Sequence, residues 1–237
     1  MHTLRIAAAA AALLAAAGLG CDLLKSATSF TVDTEWQEID VDSASLPLKV
    51  PGGAVIPGIP CTAAADPCAA ATSQISCSGG SYSCKVQCGS SAKCEVVASV
   101  ESSTQIDLSQ KVQNGLQSSA LSKVTVGKVI YNTDANTLNF DTPKIELFLG
   151  PSTATKTTDA GVVAFATMDP IPRGTTPNAQ IIPTAEGQAA LEGYVRNYQT
   201  PFRMLARASL RFATGDSIPQ GRLALKVKAY IDIEPLK

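Results

Sequence analysis

The chain has 237 residues, with 19 Lys and Arg against 20 Asp and Glu, for a net charge of −1. A balance this close to neutral excludes general nucleic-acid binding through bulk charge. The one histidine is His2, so the rest of the chain has no imidazole, which excludes Ser-His-Asp and Cys-His nucleophiles and His-ligated zinc.

The first element is a leader. His2 and Arg5 give a short positive head, Ile6 to Ala17 is an unbroken apolar run, and Gly18-Leu19-Gly20 leads into Cys21. A basic head, an apolar stretch of about 7–15 residues and a small-residue exit describe a secretory signal. The run is shorter than the ~20 residues that span a bilayer. A cysteine directly after the small residue resembles the lipobox of bacterial lipoproteins, although Gly18 stands where that family usually carries Leu. The resemblance implies that residues 1–20 are removed and that Cys21 becomes an acylated N-terminus holding the protein to a membrane of the cell envelope. The expected organisation is a signal peptide at 1–20, a lipidated tether at 21–29 and one β-sandwich domain at 30–237, with a Cys-rich insertion at about 51–94.

Phe30 to Val41 reads as the first strand: Phe30, Val32, Thr34 and Trp36 alternate with Thr31, Asp33 and Glu35, and the phase shifts near Glu38. On that pattern Trp36 is a core anchor, with ligand stacking as the second reading because its strand is acidic. Leu46 to Val50 is a short strand ended by Pro51-Gly52-Gly53, and a Pro- and Ala-rich connection runs over 51–75.

Six cysteines follow Cys21: Cys61, Cys68, Cys77, Cys84, Cys88 and Cys94. An even number in an exported chain reads as three disulfides. A thiolate metal site would want Cys-x-x-Cys pairs, and none occurs, so no metal is expected. Local pairing is the expectation. A hairpin around Gly80-Ser81 sets Cys77 opposite Cys84, Cys88 and Cys94 flank the turn at Gly89-Ser90-Ser91, and Cys61 and Cys68 close the loop holding Asp66-Pro67. A Ser- and Gly-rich segment with few large apolar residues cannot hold itself by burial, so covalent staples replace a core there.

Cys94 to Leu108 reads as a strand. Leu108, Val112 and Leu116 then recur every four residues, with Ser109 as a cap, and predict a helix over 109–118. Ser122 to Tyr131 is a strand, 132–136 a turn, and 137–140 extended chain. Ile145, Leu147 and Leu149 define the next strand, and 161–167 a buried one. Prolines punctuate 169–183. Thr184 then fits a helix N-cap, and Leu191, Tyr194, Val195 and Tyr198 line one helical face up to Pro201. The last two strands alternate cleanly. Phe202 to Phe212 sets apolar residues against Arg203, Arg207 and Arg211. Leu223 to Ile233 sets them against Arg222, Lys226 and Lys228. Repeated half-buried alternation predicts antiparallel sheets packed as a β-sandwich, mainly β with one or two short helices.

If these two strands form a hairpin, Arg203, Arg207, Arg211, Arg222, Lys226 and Lys228 share one face that suits anionic lipid headgroups, polyanionic glycans or an acidic partner. The alternative is an ordinary solvated face balanced by Asp33, Glu35, Asp40 and Asp42. Asp33 and Glu35 on one strand face suit Ca²⁺ or paired acid–base work, or simple solvation. No Gly-x-Ser-x-Gly elbow and no phosphate-binding glycine loop occurs. The function that fits is an envelope-anchored lipoprotein acting as a non-enzymatic binding or structural module, with no cofactor. Its expected contacts are the membrane through its lipid and an envelope protein, anionic lipid or glycan, with no nucleic acid. A carrier of lipid or another apolar ligand is the first alternative, and a His-free glycan or cell-wall hydrolase the second.

Overall fold

A computed structural model describes residues 29–45, 48–49, 55–56, 58–62, 68–74, 76–77, 82–115, 121–213 and 215–235. The expected signal, lipidation and tether residues up to 28 lie outside that set. In chain order the elements are β1 (Phe30–Asp33), β2 (Gln37–Asp42), β3 (Leu48–Lys49), α1 (Ala69–Gln74), β4 (Ser76–Cys77), β5 (Tyr82–Cys88), β6 (Cys94–Ile106), α2 (Ser109–Gly115), β7 (Leu121–Asn136), β8 (Ile145–Pro151), β9 (Val163–Met168), β10 (Asn178–Ile181), α3 (Ala185–Arg196), β11 (Phe202–Phe212) and β12 (Arg222–Pro235). They make the expected antiparallel β-sandwich.

The front sheet runs β1-β12-β7-β10, with β2 pairing the same edge of β12 as β1; the back sheet runs β5-β6-β11-β8-β9. The strict alternation of β12 organises the front sheet. Leu223, Leu225, Val227, Ala229, Ile231 and Ile233 all point inward at 2% exposure or less, as the sequence pattern requires. Opposite them the back sheet contributes Ile145, Leu147, Leu149, Phe202, Met204 and Ala206 to the same core. Helix α3 closes one end of this core with Leu191 and Val195. Its start is set as expected: Thr184 accepts the Gly187 N–H at 2.9 Å as the N-cap.

The expected hairpin of the last two strands does not form. β11 lies between β6 and β8 in the back sheet, and β12 lies between β1/β2 and β7 in the front sheet. The connection between them crosses from one sheet to the other. It ends at Gly221, whose φ of 97° and contact with the Thr137 carbonyl leave no room for a Cβ.

The turn expected at 132–136 is also absent, because β7 continues through it. Pairing with β12 overrides the turn preference of Asn132, Asp134 and Asn136. The strain is absorbed as a bulge: Thr133 faces Leu225 and Ala135 faces Ala224, which leaves Asp134 unpaired in the ladder. β10 is an edge strand hidden in the Pro-rich stretch; its polar Asn-Ala-Gln-Ile run carries no periodic signal.

The back sheet is longer than the front sheet can cover. The inner faces of β5 and β6 are covered by the Cys-rich segment. Ile56, Cys68 and Ala71 pack on Val96, Ala98, Val100, Leu210 and Phe212 as a second small core. Two disulfides fix it, Cys61–Cys88 and Cys68–Cys94. The local pairings Cys61–Cys68 and Cys88–Cys94 are therefore corrected. Cys88 and Cys94 do face each other across the turn, but the 59–61 backbone lines up beside that turn. Cys61 N–H bonds the Ala92 carbonyl at 3.0 Å and Cys94 N–H bonds the Ile59 carbonyl at 2.8 Å. Each hairpin cysteine thus meets a cysteine of the neighbouring segment. β4 pairs with β3, setting Cys77 opposite Leu48 rather than in a hairpin with Cys84. Cys84 is itself disulfide-bonded.

Peptide mapping without reduction is expected to recover Cys61–Cys88 and Cys68–Cys94, with Cys84 joined to Cys77. Loss of the Cys68–Cys94 bond in the double Ala variant is expected to cost about 2–4 kcal/mol. A map showing Cys61–Cys68 would contradict the crossed arrangement.

Candidate functional site

The edge strand of the front sheet is broken where the sequence predicts smooth alternation. Val32 and Thr34 face inward, Glu35 adopts φ 59°, and Gln37 and Ile39 then face inward again. The phase shift sits at Glu35-Trp36 rather than near Glu38. A left-handed non-glycine residue costs roughly 1–2 kcal/mol, and several bonds hold it. Thr34 N–H bonds the Ala229 carbonyl at 3.0 Å, and Thr34 Oγ1 accepts the Ala229 N–H at 3.0 Å in return. The Gln37 side chain donates to the Thr34 carbonyl, and Glu35 N–H donates to Asp33 Oδ1 at 2.8 Å.

The consequence is Trp36. It turns away from the core to the outer face of the front sheet, 37% exposed, so the core-anchor reading is corrected. Lys226 and Lys228 place their ammonium groups 5.2 and 5.1 Å from its ring centre. Tyr230 continues the surface, with Lys128 at 4.8 Å from its ring. Asn132 lies opposite Lys226 on β7, and Asn178 opposite Asn132 on β10. Every described residue on this face, from Asp40 across β12 to Gln180, is exposed or half-buried.

The back sheet differs. Its outer face carries Arg203, Arg207 and Arg211, and residues 152–162 fold across the first two. Arg203 donates to the Ser152 carbonyl at 2.9 Å and to Ser103 at 3.0 Å. Arg207 binds Glu146 at 2.8 and 2.9 Å, touches Thr157 at 3.2 Å and stacks over Phe148. Thr157 also bonds Glu101 at 2.6 Å. Leu205 is fully buried under this loop beside Ala154 and Val162. Arg211 pairs with Glu95 at 3.0 Å.

The six cations expected on one face are thus split between two sheets; five pair with carboxylates, and Arg203 is held by a backbone carbonyl and a serine hydroxyl. Arg222 forks onto Asp40, Lys226 pairs with Asp134 at 2.9 Å, and Lys228 with Asp33 at 3.5 Å. On the front face carboxylates outnumber cations, because β2 adds Glu38, Asp40 and Asp42 across from β12. Asp33 and Glu35, the pair considered for acid–base or Ca²⁺ work, converge on one ammonium instead: Lys111 of α2 lies 2.7 Å from Asp33 and 3.1 Å from Glu35. The Lys111 hydrogen bond is the main cause holding the Asp33 carboxyl below its ordinary value; partial burial opposes it and the Glu35 N–H adds to it.

The space an apolar carrier would need between the sheets is filled by Val129, Leu147, Leu149, Phe165, Val227, Ala229 and Ile231, all at 0% exposure. The sulfurs of Cys61, Cys68 and Cys94 lie within 4.8 Å of one another, but all three belong to disulfides and offer no thiolate. No described helix is long and apolar enough to cross a membrane. Sequence reasoning missed that Tyr230, Lys128, Asn132 and Gln180 share the outer face of the front sheet with Trp36, since only the strand order joins them. It also missed a cleft of about 680 Å³ between the end of β11 and residues 139–143; Pro143 was its one visible signal.

No protein-family model matches the chain, and no curated protein matches it. Among solved structures it is similar to one of carbohydrate-binding modules from the beta-sandwich superfamily, at 11% identity and a TM-score of 0.27, covering 89% of this chain and 58% of that one. It is also similar to the Israeli acute paralysis virus particle, at 12% identity and a TM-score of 0.26, covering 88% and 71%. At these values the fold and the site rest on this chain's own geometry.

A carboxylate depressed in the folded state adds stability above its unfolded value, near ~3.9, and loses it as pH falls through the folded value. Lys111→Met is therefore expected to lower stability by up to about 1 kcal/mol at neutral pH. That deficit is expected to shrink toward zero as pH falls through the lowered folded value, as thermal melts at neutral and at strongly acidic pH will show. An equal deficit at both would assign Lys111 a packing role only.

Proposed function

We propose that this protein is an exported, lipid-anchored binding module of the bacterial cell envelope, non-enzymatic, which presents the open face of its front sheet to a neutral glycan. The observation that carries the reading is the break at Glu35. A backbone in the left-handed region is unfavourable for Glu, and its result is to set the chain's one tryptophan on the surface beside Tyr230. A large apolar ring held there by two lysines gains most when a flat, weakly polar ligand covers it.

Charge chooses among the ligands. A polyanion or an anionic membrane needs unspent positive charge, and Arg222, Lys226 and Lys228 on this face are each paired with a carboxylate. A polyhydroxylated neutral chain needs alternating donors and acceptors around an aromatic surface. Asp33, Lys228, Asp134, Lys226, Asn132 and Asn178 supply them across adjacent strands. The anchor follows from the leader ending at Cys21, with sustained attachment supplied by more than one acyl chain. The absence of histidine beyond residue 2 supports the non-enzymatic part.

Two measurements test the reading separately. Intact mass of the membrane-extracted protein is expected to show a start at Cys21 carrying acyl chains; an unacylated start would remove the anchor. Co-sedimentation with insoluble neutral envelope polysaccharide is expected to fall about tenfold for Trp36→Ala, near 1.4 kcal/mol, while Arg203→Ala on the covered back sheet leaves it unchanged. Equal retention of the two variants would overturn the assignment of the face.

A further inference from the structure

The two disulfides that fix the Cys-rich segment differ in exposure and share one cluster. Cys88 is exposed and Cys61 half-buried, so a dissolved thiolate can reach the bond between them. Cys68 and Cys94 are 1% and 3% exposed, which puts their bond out of such reach. Yet the sulfurs of Cys61, Cys68 and Cys94 all lie within 4.8 Å of one another. One sulfur of the accessible bond thus stands beside both sulfurs of the enclosed one.

The β5–β6 hairpin places the fourth sulfur. Cys88 lies opposite Cys94. Gly89 N–H bonds the Lys93 carbonyl at 2.9 Å, whereas Cys94 N–H points away from β5, to the Ile59 carbonyl at 2.8 Å. Cys88 and Cys94 are therefore a non-hydrogen-bonded pair, the kind whose side chains stand closest. The Cys61 N–H bond to the Ala92 carbonyl, at 3.0 Å, holds Cys61 against the same turn without help from its own disulfide. Cys61 and Cys68 are also near in sequence, seven positions apart, against the 26 that separate Cys68 from Cys94. The shorter loop costs less entropy to close.

We propose that Cys61–Cys88 is a thiol-exchange site whose substrate is a dithiol, and that Cys61 relays the exchange to the buried Cys68–Cys94 bond, so that one two-electron reduction releases both ties of the Cys-rich segment. A thiolate of the dithiol attacks Cys88 Sγ, the Cys61–Cys88 bond breaks, and the electron pair leaves on Cys61 Sγ. The second thiolate of the dithiol attacks its own bound sulfur, closes a cyclic disulfide and displaces Cys88. The Cys61 thiolate attacks Cys68 Sγ: the Cys61–Cys68 bond forms, the Cys68–Cys94 bond breaks, and Cys94 leaves as a thiolate. This second exchange is redox-neutral, and the two protons given up by the dithiol pass to Cys88 and Cys94. The product holds a Cys61–Cys68 bond and two facing thiols on the hairpin. The bonds that tied residues 61 and 68 to β5 and β6 are gone. Ile56 and Ala71 then keep the segment in place by burial alone, over an apolar floor that includes Val96, Ala98 and Val100.

The test is graded reduction of the detergent-extracted full chain with dithiothreitol, quenched by alkylation and read by peptide mapping. The first product is expected to carry a Cys61–Cys68 bond and alkyl groups on Cys88 and Cys94. A first product alkylated on Cys61 and Cys88, with Cys68–Cys94 intact, would overturn the relay. Cys88→Ala tests the second exchange without any reductant, because it leaves Cys61 as a thiol beside the buried bond. At mildly alkaline pH Cys61 is expected to appear joined to Cys68; a free Cys61 beside an intact Cys68–Cys94 bond would overturn the proposal. The double variant Cys61→Ala, Cys88→Ala removes the relay and keeps the buried bond. Its Cys68–Cys94 bond is expected to open about tenfold more slowly than in the wild type, and equal or faster opening would contradict the role given to Cys61.

Discussion

The alternation of β12 is the constraint on which the other features depend. Its inward residues are buried almost completely against the back sheet, so a slip of one residue would turn every one of them to water. β12 therefore holds its register, and its neighbours adapt. β7 adapts with the bulge at Asp134. The edge strand adapts by breaking at Glu35, which lets both β1 and β2 keep apolar residues inward along the same edge. Trp36 is exposed because β12 cannot move. The hydroxyl of Thr34 accepts the Ala229 N–H there, so the ladder loses no bond at the break.

A second constraint is coverage. The front sheet does not fully cover the inner faces of β5 and the first half of β6, and the segment that covers them is too poor in large side chains to stay there by burial alone. The crossed disulfides supply what packing does not. Crossing matters physically. A local Cys61–Cys68 bond would close a small loop and leave the segment free of the hairpin, whereas Cys61–Cys88 and Cys68–Cys94 tie it to the sheet at two points. The same shortfall of strands on the other side of β11 leaves the cleft open. The β5–β6 side of β11 is thus covered by a covalently fixed segment, and the other side faces a proline-directed loop across the cleft.

The strands with one wet face were legible in the sequence because period-two alternation survives any choice of neighbour: β6, β8, β11 and β12 lie where their apolar residues place them. The cap at Thr184 was equally legible, since capping is a local bond. Strand order was not. β11 and β12 read as a hairpin because they are adjacent in sequence, and the sheet crossing at 213–221 has no local signature beyond its glycines. The six cations therefore read as one surface and are two, with five of the six paired to carboxylates distant in sequence. The sequence leaves both readings of Trp36 open, because the inward phase at Gln37 that decides between them is visible only against the fixed register of β12. Tyr230 was legible as a strand residue and not as a neighbour of Trp36.

Trp36 is the chain's only tryptophan, so its fluorescence reports on the proposed surface directly. The most direct test is a titration of the intact protein with soluble neutral envelope polysaccharide, following that emission. The account predicts a saturable shift to shorter wavelength as the half-exposed ring is covered, unaffected by salt because no net charge is neutralised. Polysaccharide binding that leaves the emission unchanged, or a shift that salt abolishes, would contradict it.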